Sequence, residues 1–348
     1  MRLSLIILIF ILGFQIGNAQ HKKSNAAKKV VAATPIGKPS GRFNDLKKAF
    51  MHINEVKELS LSNIEKLPDG VYEFPNLTKL TIRNGLKKID YRIGNLKSLE
   101  VLNLIDDEIP FLPEDIKNCT NLREIRIINC KFRVLTKELF ELPKLERLIL
   151  KNNNIEQIPC DFNDNYLLKE INLKYNKIKS LPDCLERVYM LQSLYLTGNP
   201  VDEFKGVWGN NSKAFKNLKT LSMATCNLTK IPVRLTNNLT YLDLSNNQIK
   251  DIGLEDILHM QRLTYLSVEN NPLTFIDESL FDIKHLGLLQ IDKNETIIDL
   301  LSLSNRVCIS YSGNKMNNRL DEIKPCGKKA GLVNVYLYEP QTKIIEPK

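Results

Sequence analysis

Residues 145–159 read LERLILKNNNIEQIP, and two periods run through them. Leu148 and Leu150 flank Ile149, the alternation of a strand that turns one side to a core. Asn153 follows where such a strand would end, and Ile155, Ile158 and Pro159 then close the segment with an apolar pair and a residue that cannot continue a helix. Working outward, the same order returns in segments that start at Val56, Leu77, Leu99, Leu122, Leu145, Leu168, Leu191, Leu218, Leu239, Leu263 and Leu286, ten steps covering 230 residues with a mean of 23. A unit this short cannot bury its own apolar side, so neighbouring units must stack and share one continuous core.

This L-x-x-L-x-L-x-x-N pattern, followed by an apolar pair and proline, resembles the leucine-rich-repeat family, and eleven in-phase copies span residues 56 to about 300. The resemblance implies an α/β solenoid, a curved horseshoe with one short strand per repeat in a concave parallel sheet. Prolines 68, 113, 159, 182 and 232 predict a thin convex side of turns and short 3₁₀ pieces.

The position leaving each strand is read as an asparagine ladder formed by Asn63, Asn84, Asn153, Asn176, Asn199, Asn247, Asn271 and Asn294. An amide there both donates to and accepts from the backbone of the next coil. Asp107, Cys130 and Cys226 occupy the same position elsewhere, and the two thiols read as small buried donors. With Asp106 and Glu108, Asp107 makes an acidic turn that is either simply solvated or a Ca²⁺ site.

The ends read differently. Residues 1–19 hold Arg2, an apolar run from Leu3 to Phe14 and small residues up to Ala19, the pattern of a signal peptide. The run is too short to span a bilayer, so the chain is expected to be exported, whether secreted, periplasmic or at the cell surface. Residues 20–41 are expected to be a basic disordered linker and 42–55 a helical cap, with the helix over 44–53 begun by Asn44-Asp45. Eleven repeats are assigned to 56–307, and a C-terminal β-cap and tail, with a strand at 333–338, to 308–348. Of the formal +9, one charge is Arg2 and five are lysines at 22, 23, 28, 29 and 38, so residues 42–348 hold only +3. A body so nearly neutral argues against a nucleic-acid partner. The linker alone could touch an anionic surface.

Seven cysteines leave at least one unpaired in a monomer, and the candidate disulfide residues are Cys308 with Cys326 at the end of the array and Cys160 with Cys184 in adjacent repeats. Four scattered histidines and no C-x-x-C imply no metal site. No phosphate loop, nucleophile elbow or H-E-x-x-H is present, and repeats, cap and linker fill almost the whole chain, so the reading is a non-enzymatic protein without a cofactor.

Function is then sought among strand residues that face away from the core. Repeats two to six present Lys79, Arg83, Val101, Ile105, Glu124, Arg126, Ile128, Arg147, Ile149, Lys151, Glu170 and Lys174, a net of +4 around an aliphatic patch. Repeats seven to eleven present Tyr195, Tyr241, Asp243, Tyr265, Glu269, Leu288 and Asp292, a net of −3. Trp208, the only tryptophan, lies in the longest repeat and either contacts a partner or plugs the enlarged coil. An apolar patch rimmed by Arg and Lys favours a protein partner. Tyr195, Tyr241 and Tyr265 keep a glycan or cell-wall polymer as the alternative.

Overall fold

The computed structural model describes residues 41–160, 167–201, 215–232, 238–258, 260–292 and 308–312. Its strands in chain order are β1 (Arg42–Phe43), β2 (Glu58–Ser62), β3 (Lys79–Arg83), β4 (Val101–Ile105), β5 (Glu124–Ile128), β6 (Arg147–Ile149), β7 (Glu170–Asn172), β8 (Ser193–Tyr195), β9 (Thr220–Ser222), β10 (Tyr241–Asp243), β11 (Asp251–Ile252), β12 (Tyr265–Ser267), β13 (Phe275–Ile276), β14 (Leu288–Asp292) and β15 (Cys308–Ser312). Thirteen form one parallel sheet in sequential order, and β11 and β13 pair separately. Sequential parallel order requires each coil to travel out and back before the next strand, which is how a solenoid with one strand per repeat advances. Leucine positions equivalent to Leu148 and Leu150 face inward along the whole array and are buried throughout.

The bend after each strand is made by one residue in the left-handed conformation: Asn63, Asn84, Asp106, Asn129, Asn152, Tyr175, Gly198, Thr225, Asn246 and Asn270 all have φ between 54° and 74°. The ladder residue comes next. Asn153 accepts from Cys130 N (3.0 Å) and Phe132 N (3.2 Å) and donates to Ile127 O (2.7 Å) and Lys151 O (3.0 Å). Asn176, Asn199, Asn247 and Asn271 repeat this pattern. Asn63 and Asn84 do not. They are exposed bend residues, and Ile64 and Gly85 stand at the ladder position. Asparagine tolerates the left-handed bend for the same reason it suits a ladder, a short side chain that bonds locally, so residue type could not separate the two roles. Asn294 lies outside the described residues.

Cys130 Sγ donates to Leu104 O (3.3 Å) and Cys226 Sγ to Leu196 O (3.3 Å). Burial pushes these thiols up to about 12 and about 11, which removes the thiolate that reactivity needs. Asp107 turns inward to accept from Leu86 N at 2.9 Å, while Asp106 takes Asn129 Nδ2 and Glu108 pairs with Lys131. The three carboxyls of that turn therefore point to three different partners rather than to one ion.

A second set of amides, unremarked in the repeat pattern, precedes the first leucine. Asn76, Asn121, Asn217 and Asn238 each donate Nδ2 to a carbonyl of the preceding coil. On the convex side 3₁₀ turns at Asp69–Glu73, Glu114–Asn118 and Asp183–Arg187 begin after Pro68, Pro113 and Pro182, whose φ angles of −60°, −66° and −78° suit a helix start. Cys160 and Cys184 form a disulfide between adjacent coils, their Cα atoms 5.4 Å apart.

The ends depart from expectation. Helix α1 covers Leu46–Met51, shorter than 44–53, and Asp45 of the Asn44-Asp45 pair caps it, accepting from Lys48 N. Ala49 is buried, whereas Phe50 and Ile53 stay partly exposed, with Phe50 stacked on Phe74. The sheet also begins earlier than the first repeat, because β1 pairs with β2. Gly41, placed in the linker by composition, has φ +74° and accepts from Lys57 N and Glu58 N, so it belongs to the fold. At the far end β15 pairs with β14 over five residues, a strand within the segment expected to form a C-terminal β-cap. Cys326, Trp208 and the expected strand at 333–338 lie outside the described residues.

Candidate functional site

The outward strand positions form three columns. The first runs Glu58, Lys79, Val101, Glu124, Arg147, Glu170, Ser193, Thr220, Tyr241, Tyr265, Leu288. The middle runs Thr81, Asn103, Arg126, Ile149, Asn172, Tyr195, Ser222, Asp243, Ser267, Gln290. The third, at the strand ends, runs Arg83, Ile105, Ile128 and, through the hydrogen bonds Asn129 N to Lys151 O and Asn152 N to Lys174 O, on to Lys151 and Lys174. Sequence reading found most of the outer columns and part of the middle one; it missed Glu58, which precedes the repeats it surveyed, and Ser193, Thr220, Thr81, Asn103, Asn172, Ser222, Ser267 and Gln290, which are small or neutral and carry no charge or ring to attract notice.

In the first half of the face the charges are not free as their count implied. Glu124 is buried and bridges two guanidiniums, receiving Arg126 Nε and both Nε and Nη2 of Arg147. Burial works against its charge, but the hydrogen bonds from Arg147 and Arg126 outweigh it and hold the carboxyl below the ordinary glutamate range. Glu170, beside Arg147 in the same column, is shifted the other way, raised by burial. Arg126, Arg147, Glu124 and Glu170 together carry no net charge when ionised. Ile149 is only 8 % exposed, so the middle of the aliphatic patch is closed. Ile105 and Ile128 pair across β4 and β5 and remain partly exposed. The side chains of Arg83 and Lys151 have no hydrogen-bond or ion-pair partner among the described residues, Lys79 is partly exposed, and Lys174 sits 5.3 Å from the Tyr195 ring centroid.

The second half is a hydrogen-bonded surface. Thr197 and Ser222 hydroxyls lie 2.6 Å apart, Ser222 donates on to Asp243, and Asp243 also accepts from Ser245 N (3.1 Å) and Oγ (2.7 Å). Tyr241 and Tyr265 stack in register with centroids 4.4 Å apart and planes within 2°, and Tyr265 donates its hydroxyl to Gln290 Oε1. Each ring thus has one face covered by the other.

Comparison with known proteins agrees with this geometry. A model described as leucine rich repeat matches residues 143–201, and one described as leucine rich repeats in two copies matches 237–281. The human volume-regulated anion channel subunit LRRC8D is 27% identical over 276 residues, covering 76% of this chain and 29% of that protein. Mouse CD180 antigen is 26% identical over 290 residues, 76% of this chain and 42% of that one. Among solved structures, a chain of the octameric complex of Latrophilin 3, Unc5D and FLRT2 (LRR) aligns with TM-score 0.65 at 20% identity, over 74% and 84% of the two chains. An internalin of Listeria monocytogenes aligns with TM-score 0.59 at 18% identity, over 79% and 78%. The chain spans less than a third of the length of the channel subunits it matches. It carries leucine-rich repeats and folds as a leucine-rich-repeat solenoid. Among the described residues no helix is long and apolar enough to cross a membrane.

Proposed function

We propose that the chain is a non-catalytic recognition protein that binds a protein partner on its concave face, centred on β4 to β6. One observation carries the reading: Ile105 and Ile128 are adjacent, partly exposed aliphatics bracketed in their column by Arg83 and Lys151, cations whose side chains have no partner among the described residues. Exposed aliphatics beside cations that make no internal bond are costly to leave in water and suit an interface core with a charged rim. Structural neighbours support it too, since several were solved as complexes, among them that of Toll with Spatzle. We also propose export as the route to the partner, supported by residues 1–19 and by the Cys160–Cys184 bridge. A sugar needs an open aromatic face, which the mutual stacking of Tyr241 and Tyr265 halves.

The test is capture of surface proteins and, separately, a glycan array by the purified chain, repeated with Ile128→Glu. A protein partner that Ile128→Glu weakens by about tenfold or more, with the melting temperature unchanged, is the expected result. Glycan binding lost in Tyr241→Ala and unaffected by Ile128→Glu would overturn it.

A further inference from the structure

The third column specifies more than an apolar contact. Its order is Arg83 on β3, Ile105 on β4, Ile128 on β5 and Lys151 just past the end of β6, so it crosses four successive coils. Neighbouring strands lie about 4.8 Å apart, so the two cations are separated by three steps, about 14 Å. An extended peptide advances about 3.3 to 3.4 Å per residue, so two of its side chains four residues apart stand about 13 to 14 Å from each other on the same side. The residue midway between them points the same way. Arg83 is exposed and Lys151 partly so, and neither is engaged by another described side chain. Asp106, next to Ile105, is exposed and holds Asn129 Nδ2 at 2.9 Å, which sets a negative charge beside the middle of the column. That charge disfavours an acid in the centre of a ligand while the cations at either end attract one.

Resting on the concave-face reading above, we propose that this column receives an extended segment of the partner that crosses the strands and carries two acidic residues four apart with an aliphatic residue midway, the acids on Arg83 and Lys151 and the aliphatic on Ile105 and Ile128. The second half of the face cannot take the same segment. Its column there includes Glu269 and Asp292, acids where the ligand would also bring acids.

Synthetic twelve-residue peptides test the register directly. The parent has two glutamates four apart with a leucine between, and its variants change either glutamate to glutamine, the leucine to serine, or the spacing to two. Fluorescence anisotropy against the full chain should rank the parent at least tenfold above the serine and short-spacing variants. With Arg83→Ala, the glutamine change at one end should cost nothing further, and with Lys151→Ala the same should hold for the other end. Both substitutions are at exposed or partly exposed rim positions, and circular dichroism should confirm that the fold is kept. Affinity that follows total charge and ignores the leucine and the spacing overturns the proposal, as does the lack of any preference for the parent up to millimolar peptide. If a captured protein partner is weakened by Ile128→Glu but is indifferent to Arg83→Ala and Lys151→Ala, the concave-face reading stands and this one fails.

Discussion

The two halves of the concave sheet are built on the same apolar interior and differ most in what they turn outward. From β3 to β6 the face mixes aliphatics with cations and a buried carboxylate clamped by two arginines. From β8 to β14 it is a chain of hydroxyls around Asp243, a stacked tyrosine pair and two further acids, Glu269 and Asp292. Beneath both, Leu148 and Leu242 are completely buried, and Asn153 and Asn247 make equivalent sets of backbone bonds. The solenoid therefore separates stability from recognition: inward positions are held by packing and accept little change, while outward positions are nearly free to vary.

The largest effects should ignore the division. Leu148→Ala and Leu242→Ala should each cost about 2 to 5 kcal/mol in urea unfolding, through lost transfer energy and a cavity; a large cost in one half only would break the equivalence. Asn153→Ala and Asn247→Ala should each cost about 1 to 3 kcal/mol by orphaning buried backbone groups. Asn63→Ala, at an exposed bend rather than the ladder, should cost less than Asn153→Ala, about 1 kcal/mol for the left-handed conformation alone, and a loss as large as that of Asn153→Ala would contradict the assignment of Asn63.

Binding should divide the halves. Ile128→Glu should weaken a protein partner by about 1 to 2 kcal/mol and Tyr265→Ala should leave it nearly unchanged, as titration calorimetry would read; the reverse order would move the interface to the second half.

The smallest effect is a pH dependence confined to the first half. Asp107 is the one ladder carboxyl, and burial raises it above its ordinary value of 3.8. The folded state therefore holds its proton more tightly than the unfolded chain, so stability falls as pH rises from about 4 through the folded value. Asp107→Asn should abolish that fall and leave the protein more stable at neutral pH by about 1 kcal/mol. Melting temperatures of the two proteins should converge near pH 3, and curves that stay parallel from pH 3 to 7 would show that Asp107 is not the titrating group. Glu124 runs oppositely: held low by its arginines, it contributes stability that is present above about pH 4.5 and lost as pH falls.

Much of this was legible beforehand because solenoid geometry is local. Alternation at Leu148 and Leu150 and the period of 23 are statements about residues close in sequence, and stacking one unit on the next follows from apolar sides that no unit can bury alone. Equivalence between repeats also placed Ile105 beside Ile128 and Tyr241 beside Tyr265. The failures share a cause. Asn63 and Asn84 are placed on the ladder by identity rather than by count, and β1 belongs to a coil without the repeat signature, where pairing with an existing edge supplies what the local pattern lacks.

What the sequence by itself determined is thus the fold, the core and the membership of most outward columns, since each depends on periodicity. Only the tertiary structure decided which outward residues remain available. Whether Arg126 and Arg147 are free cations or tied to Glu124, whether Ile149 is a contact or closed off, and which of two asparagines carries the ladder all depend on where side chains come to rest within a strand and across to the neighbouring coil. Those encounters turn on distances of a few ångströms and on competition for the same partner, which no pattern of residue types along the chain records.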